Sequence, residues 1–130
     1  MIYLDSSALL KLLFEEPESG ALAGWLSARP DLPKLTIQLS LVEVVRIACR
    51  LGALLEPAAR RLLAGLDLIP ISAEVVELAT HVGPASLPSL HAIQLASTIT
   101  VRDGLTAVVA YDQRLREAAE SERLPVTAPA

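Results

Sequence analysis

Three acids in this chain stand where acids can do chemistry. Asp5 follows Ile2-Tyr3-Leu4, a short apolar run of strand-forming residues, and precedes Ser6, Ser7 and a helical pattern from Ala8 to Leu13. Asp112 follows the apolar run Thr106 to Ala110 and leads into a second helical pattern from Gln113. Glu43 comes just after the β-prone stretch Leu35 to Leu39, in the first turn of a helix that continues from Val44 to Leu51. An acid at a strand-to-helix turn points off the C-terminal edge of a sheet, where open α/β sheets bind ligands. If the strands are parallel, all three acids lie near one edge. Gathered carboxylates repel one another, and a divalent cation removes that penalty. Mg²⁺ is commonly held by one or two carboxylates, keeps several waters and binds phosphate oxygens. It can activate a water for attack on a phosphodiester and stabilise the leaving oxygen. Each acid also has a plainer reading. Asp5 and Asp112 suit helix N-caps, and Glu43 stands three residues after Ser40, which matches a capping box.

The elements that must position these acids follow from the pattern. The break Glu15-Glu16-Pro17-Glu18 separates the first helix from a second, about Ser19 to Ala28. That helix carries Leu22, Leu26 and Trp25, the last read as a packing anchor. A strand over Leu35–Leu39 precedes the helix that ends before Gly52. A helix from Pro57 to Gly65 and an edge strand between Leu66 and Ile71 come next. Ser72 caps a helix from Ala73 to about Val82. Ala92, Leu95, Ala96 and Ile99 fall on one face of a further helix, Leu90 to Ile99. Thr106–Ala110 reads as a buried strand, Gln113 to about Glu122 as a helix, and Leu124–Thr127 as a last short strand. Strands alternate with helices throughout. This implies an α/β domain with a mostly parallel sheet and helices on both faces. No linker or repeat interrupts it, so residues 1–130 are expected to form a single domain.

Composition narrows the class. An apolar content of 52%, rich in Leu, Ala and Val with 3% aromatics, excludes disorder and suits a tightly packed helix-rich domain. No apolar run is long enough to span a bilayer, and no signal-peptide pattern opens the chain, so a cytoplasmic protein is expected. The net charge of −4 counts against a non-specific nucleic-acid binder but not against an enzyme whose acids share one cleft. The only cysteine, Cys49, has no intramolecular partner and reads as a small buried thiol on a helix.

The opening IYLDSSALLKLL, the EEPES break, the SLVEVVR helix start, the SLHAIQLA helix and the AVVAYDQRL strand–acid–helix together resemble a PIN-domain ribonuclease of the VapC toxin type. The resemblance covers nearly the whole chain. It implies a compact three-layer α/β fold with a central, mostly parallel sheet flanked by helices. It also implies an Mg²⁺-dependent endoribonuclease, with Mn²⁺ as the other candidate ion. Such a protein acts on RNA, is held inactive by a small antitoxin, and is commonly a homodimer. On this likeness Asp5 matches the first family acid, Glu43 the second and Asp112 the fourth. Asp5 and Asp112 would hold the metal, and Glu43 would hold it or orient the attacking water. Ser6, where the family carries Thr or Ser, would bond a metal-bound water or cap the helix.

One position departs from that pattern. The family's third acid belongs directly before the Ala-Ile pair, and here His91 stands there. Imidazole nitrogen suits Mg²⁺ poorly and transition ions better. His91 is thus either an altered ligand or a polar residue in a decayed site. The second reading gives a PIN-fold protein that binds RNA or an antitoxin without cleaving. A receiver-like signalling domain is the third class. Ser6-Ser7 after Asp5 and the lack of any Lys beyond Lys34 argue against it. Lys11, Arg46, Arg50 and Arg114 are candidate RNA-phosphate contacts, with a solvated helix face as the alternative. Arg116 has the same two readings, and His81 reads as a favourable charge near a helix C-terminus. The many Leu residues of the first two helices, with Trp25, exceed what one buried face needs. That surface is expected to receive an antitoxin helix or a dimer mate.

Overall fold

A computed structural model describes residues 1–130. Its five strands are β1 (Ile2–Leu4), β2 (Lys34–Ile37), β3 (Asp67–Ile69), β4 (Ala107–Val109) and β5 (Val126–Thr127). They form one sheet in the order β3-β2-β1-β4-β5. Every pairing is parallel. Seven α-helices connect them: α1 (Ser6–Leu13), α2 (Ser19–Ser27), α3 (Gln38–Leu51), α4 (Leu55–Ala64), α5 (Ala73–Ala79), α6 (Ser89–Thr100) and α7 (Gln113–Ser121).

The first strand occupies the centre, and its side chains alternate as a strand must. Ile2 and Leu4 enter one core with Ala8, Leu9, Leu22, Val44, Ala48, Leu63 and Val109. Tyr3 enters the other with Ile37, Val75, Leu95, Val108 and Leu115. Helices α1 to α4 therefore cover one face of the sheet and α5 to α7 the other, giving three layers. Burying Ile2 and Leu4 on one side and Tyr3 on the other contributes about 2 kcal/mol for each side chain. That anchors the strand whose next residue is Asp5.

Five local expectations are corrected. The second strand stops at Ile37, and Gln38 and Leu39 already belong to α3. The helix starts early because Ser40, Val44 and Ala48, at i, i+4 and i+8, form its buried stripe. Ser40 is therefore inside the helix and fully buried, and the N-cap is Ile37, which makes no side-chain cap bond. No capping box forms, and Glu43 lies in the second turn. Cys49 is exposed on the outer side of α3, away from the Ser40 stripe. Helix α5 ends at Ala79 and not near Val82, because the chain must turn at Gly83, whose φ of 70° suits glycine. Finally, no residue of α1 or α2 is among the exposed large apolar side chains. Leu10, Leu12, Leu13, Trp25 and Leu26 pack partly buried on the core. The exposed large apolar residues are Val42, Leu51, Leu54, Leu68, Ile71, Val76 and Leu90.

Candidate metal-binding active site

The parallel register puts the C-terminal ends of β1 and β4 side by side. Leu4 pairs with Val109, and the Asp5 backbone N–H donates to the Val109 carbonyl at 3.1 Å. Asp5 is only 3% exposed. It does cap α1: Oδ1 accepts from the Ala8 N–H at 2.9 Å and from the Ser7 hydroxyl at 2.6 Å. Ser7 in turn accepts from the Tyr111 N–H at 2.9 Å, which ties the two acid-bearing junctions together. Burial pushes the Asp5 carboxyl up from 3.8 to about 6. The bonds from Ser7 and Ala8 pull it down, while the charges of Asp112 and Glu43 push it further up. The two other acids therefore act on Asp5 electrostatically.

Glu43 sits in a network of neutral donors. Its Oε1 accepts from the Ser6 hydroxyl at 2.8 Å and from the Gln94 amide at 3.2 Å. The same amide nitrogen donates to Ser6 at 3.1 Å and to Ser40 at 3.0 Å, and Ser40 also accepts from Thr36 at 2.8 Å. On its other side, the Gln94 carbonyl oxygen accepts from the Tyr3 hydroxyl, which lies 2.8 Å from the Ser97 hydroxyl. Burial pushes the Tyr3 phenol far above its ordinary value, so it remains a neutral donor.

The side facing β4 is built differently. Asp112 caps α7 through a 3.1 Å bond from the Leu115 N–H and is 35% exposed at its side chain. His91, in the first turn of α6, brings Nδ1 to 3.7 Å from Asp112 Oδ1, too long for a hydrogen bond. That nitrogen is buried without a hydrogen-bond partner, as is Arg116 Nε.

The donor set fits a hydrated divalent ion. Asp5, Glu43 and Asp112 each commit one carboxylate oxygen to protein hydrogen bonds, and the second oxygen of each receives none. No three His, Cys, Asp or Glu side chains converge closely enough to cage an ion. A hard ion that keeps several waters needs only one or two of these oxygens. His91 Nδ1 adds a nitrogen donor beside Asp112.

The basic candidates fare unequally. Lys11 is committed to Glu16 at 2.7 Å and Glu18 at 2.8 Å, with its ammonium 4.8 Å from the Tyr111 ring centre. Arg46, Arg50 and Arg114 are exposed. A cavity of about 460 Å³ between the end of α5 and the start of α6 contains none of the acids. Sequence reasoning missed Ser7, Ser40 and Gln94. Ser40 was detectable as a member of the i, i+4, i+8 stripe, and Gln94 as a polar residue among the small and apolar residues of α6. For Ser7 no such signal exists.

Comparison with known proteins agrees with this fold. The PIN domain family matches residues 2–121. Ribonuclease VapC47 of Mycobacterium tuberculosis is 45% identical over 121 residues, covering 88% of this chain and 87% of that protein. The fold superposes on M. tuberculosis VapC20, a sarcin–ricin loop cleaving toxin, with a TM-score of 0.76 at 18% identity, over 99% of this chain and 100% of that one. It also matches VapBC2 from Rickettsia felis bound to a promoter DNA fragment, with a TM-score of 0.74 at 12% identity over the full length of both chains. The chain belongs to the PIN-domain family, among the relatives of the VapC ribonucleases.

Proposed function

We propose that this protein is a metal-dependent endoribonuclease of the VapC kind, the toxin of a type II toxin–antitoxin pair. The observation that carries the reading is the set of three carboxylates, each with one oxygen free of protein bonds, at the C-terminal edge of a PIN-family sheet. Asp5 and Asp112 hold the ion, and Glu43 holds it or orients the attacking water together with Ser6. The ion, Mg²⁺ or Mn²⁺, supplies charge stabilisation at the scissile phosphate and a water of lowered pKa. His91 occupies the third ligand position and favours an ion that accepts nitrogen. Asp5 is held ready by Ser7 and the start of α1, so little reorganisation accompanies ion binding. Arg46, Arg50 and Arg114 meet phosphates of the RNA strand. Residues 1–130 act as one unit in the cytoplasm, as a homodimer bound by a small antitoxin; a toxin–antitoxin complex from Klebsiella pneumoniae is among the solved structures of this fold. No helix is long and apolar enough to cross a membrane. The non-cleaving alternative rests on His91 alone, and relatives named as ribonucleases weigh against it. The test is cleavage of total cellular RNA by purified protein in Mg²⁺, in Mn²⁺ and in EDTA. Cutting in either ion and none in EDTA is expected; equal cutting in EDTA, or none in any condition, overturns the reading.

A further inference from the structure

The chain of bonds behind Glu43 has one direction. The Ser97 hydroxyl shares its proton between the Tyr3 oxygen at 2.8 Å and the Gln94 backbone carbonyl at 2.7 Å, Tyr3 donates to the Gln94 side-chain oxygen, and the Gln94 amide donates to Glu43, which also accepts from Ser6. The orientation of the Gln94 carboxamide is forced. Its oxygen has to face the phenol O–H, because turned around it would meet the Glu43 carboxylate. Gln94 is 3% exposed and reaches Ser6, Ser40 and Glu43, on α1 and α3, from α6. A Gln that served packing alone would not need its two N–H groups aimed at a carboxylate and two hydroxyls. It also sits one turn along α6 from His91, so a single helix brings both groups to the acids.

We propose that Gln94 is a positioning residue of the active site: locked by Tyr3 and Ser97, its amide holds Glu43 and Ser6 in the geometry that receives the divalent ion. This rests on the nuclease reading above. Residues that orient ligands in this way commonly change metal affinity by about 10–100-fold when removed. The stabilising part of the role and the positioning part are separable. Gln94→Met keeps the length and removes every bond, leaving the buried Tyr3 hydroxyl without its acceptor, which itself destabilises. Adding Tyr3→Phe removes that orphan without restoring the hold on Glu43.

The experiment compares the natural protein, Gln94→Met and the double variant by Mn²⁺ calorimetry, thermal melting in EDTA, and RNA cleavage. Gln94→Met should bind Mn²⁺ about tenfold more weakly, melt several degrees lower, and lose kcat more than it raises KM. The double variant should recover the melting temperature and keep the weakened ion binding. Recovery of both, or natural ion affinity in Gln94→Met, makes Gln94 a packing residue and overturns the proposal. Absence of Mn²⁺ binding or cleavage in the natural protein is a different failure. It removes the nuclease reading itself, and the positioning role with it.

Discussion

The two halves of the acid cleft are built on opposite plans. The half beneath β1 is closed: Tyr3, Ser6, Ser7, Thr36, Ser40, Gln94 and Ser97 saturate one another and one oxygen each of Asp5 and Glu43. The half beside β4 is open. Asp112 is a third exposed, His91 Nδ1 is buried without a partner, and the one close pair, His91 with Asp112, stands at 3.7 Å. A buried polar group left unpaired costs about 1–3 kcal/mol. The closed half therefore resembles a finished frame, while the open half leaves His91 Nδ1 without a partner.

The strongest challenge to this contrast is Asp5→Asn. Asn is as good an N-cap as Asp, and its carbonyl oxygen can keep the bonds from Ser7 and Ala8. The fold should survive. Cleavage should fall about a thousand-fold, because a charged ligand contributing several kcal/mol to the transition state is gone and each 1.36 kcal/mol is tenfold. RNA cleavage with melting curves decides it. Full activity in the variant removes Asp5 from the site.

The next effect is in stability. A carboxyl whose pKa rises from 3.8 unfolded to about 6 folded binds its proton more tightly in the folded state. Asp5 is thus most favourable to folding below about pH 4, and that contribution is lost as pH rises through about 6. The loss between those two values is about 3 kcal/mol. In EDTA, the Asn variant should gain stability relative to the natural protein across this window. Parallel stability curves for the two would show that the closed half does not bury a charge at all.

The open half is sharpened by His91→Asp. Aspartate gives an oxygen donor that Mg²⁺ prefers and a charge suited to the start of α6. Mg²⁺ affinity should rise about tenfold, in the range of second-ligand effects on metal sites. The added repulsion with Asp112 should lower the melting temperature only without metal. Calorimetry and melts on both versions test this; unchanged Mg²⁺ affinity would mean the three acids suffice. The smallest effect concerns Arg114. Arg114→Ala should reduce the salt slope of RNA binding by about one, as for one phosphate contact. Lys11→Ala should leave that slope alone, since Lys11 is already held by Glu16 and Glu18.

How far the sequence could be read depended on what each residue's partners were. β1, β4 and the acids that follow them were legible, because an apolar run that ends in an acid is a local pattern. The alternation of strands and helices likewise implied the parallel sheet. The start of α3 was not legible, since β-prone Leu39 is drawn into a helix by contacts with residues far away in the chain. The same holds for Cys49, whose exposure depends on where α3 turns. Gln94 shows in its own segment only as a polar residue among the apolar ones of α6, since its partners Tyr3 and Glu43 lie on other elements, and Ser7, which bonds the distant Tyr111 N–H, gives no local signal. The apolar surface of α1 and α2 was overcounted because α1 packs at once against α2, α3 and α4.

The central place of β1 has a consequence for timing. The first strand to be made cannot be completed until one of the last has been: Ile2 to Leu4 wait for Ala107 to Val109, and the Asp5 N–H waits for the Val109 carbonyl. Pairing between such distant segments closes slowly and late. Asp5 and Asp112 therefore come together only when nearly the whole polypeptide is available. A nascent chain, or one cut short before β4, carries Asp5 and Glu43 without being able to form the cleft.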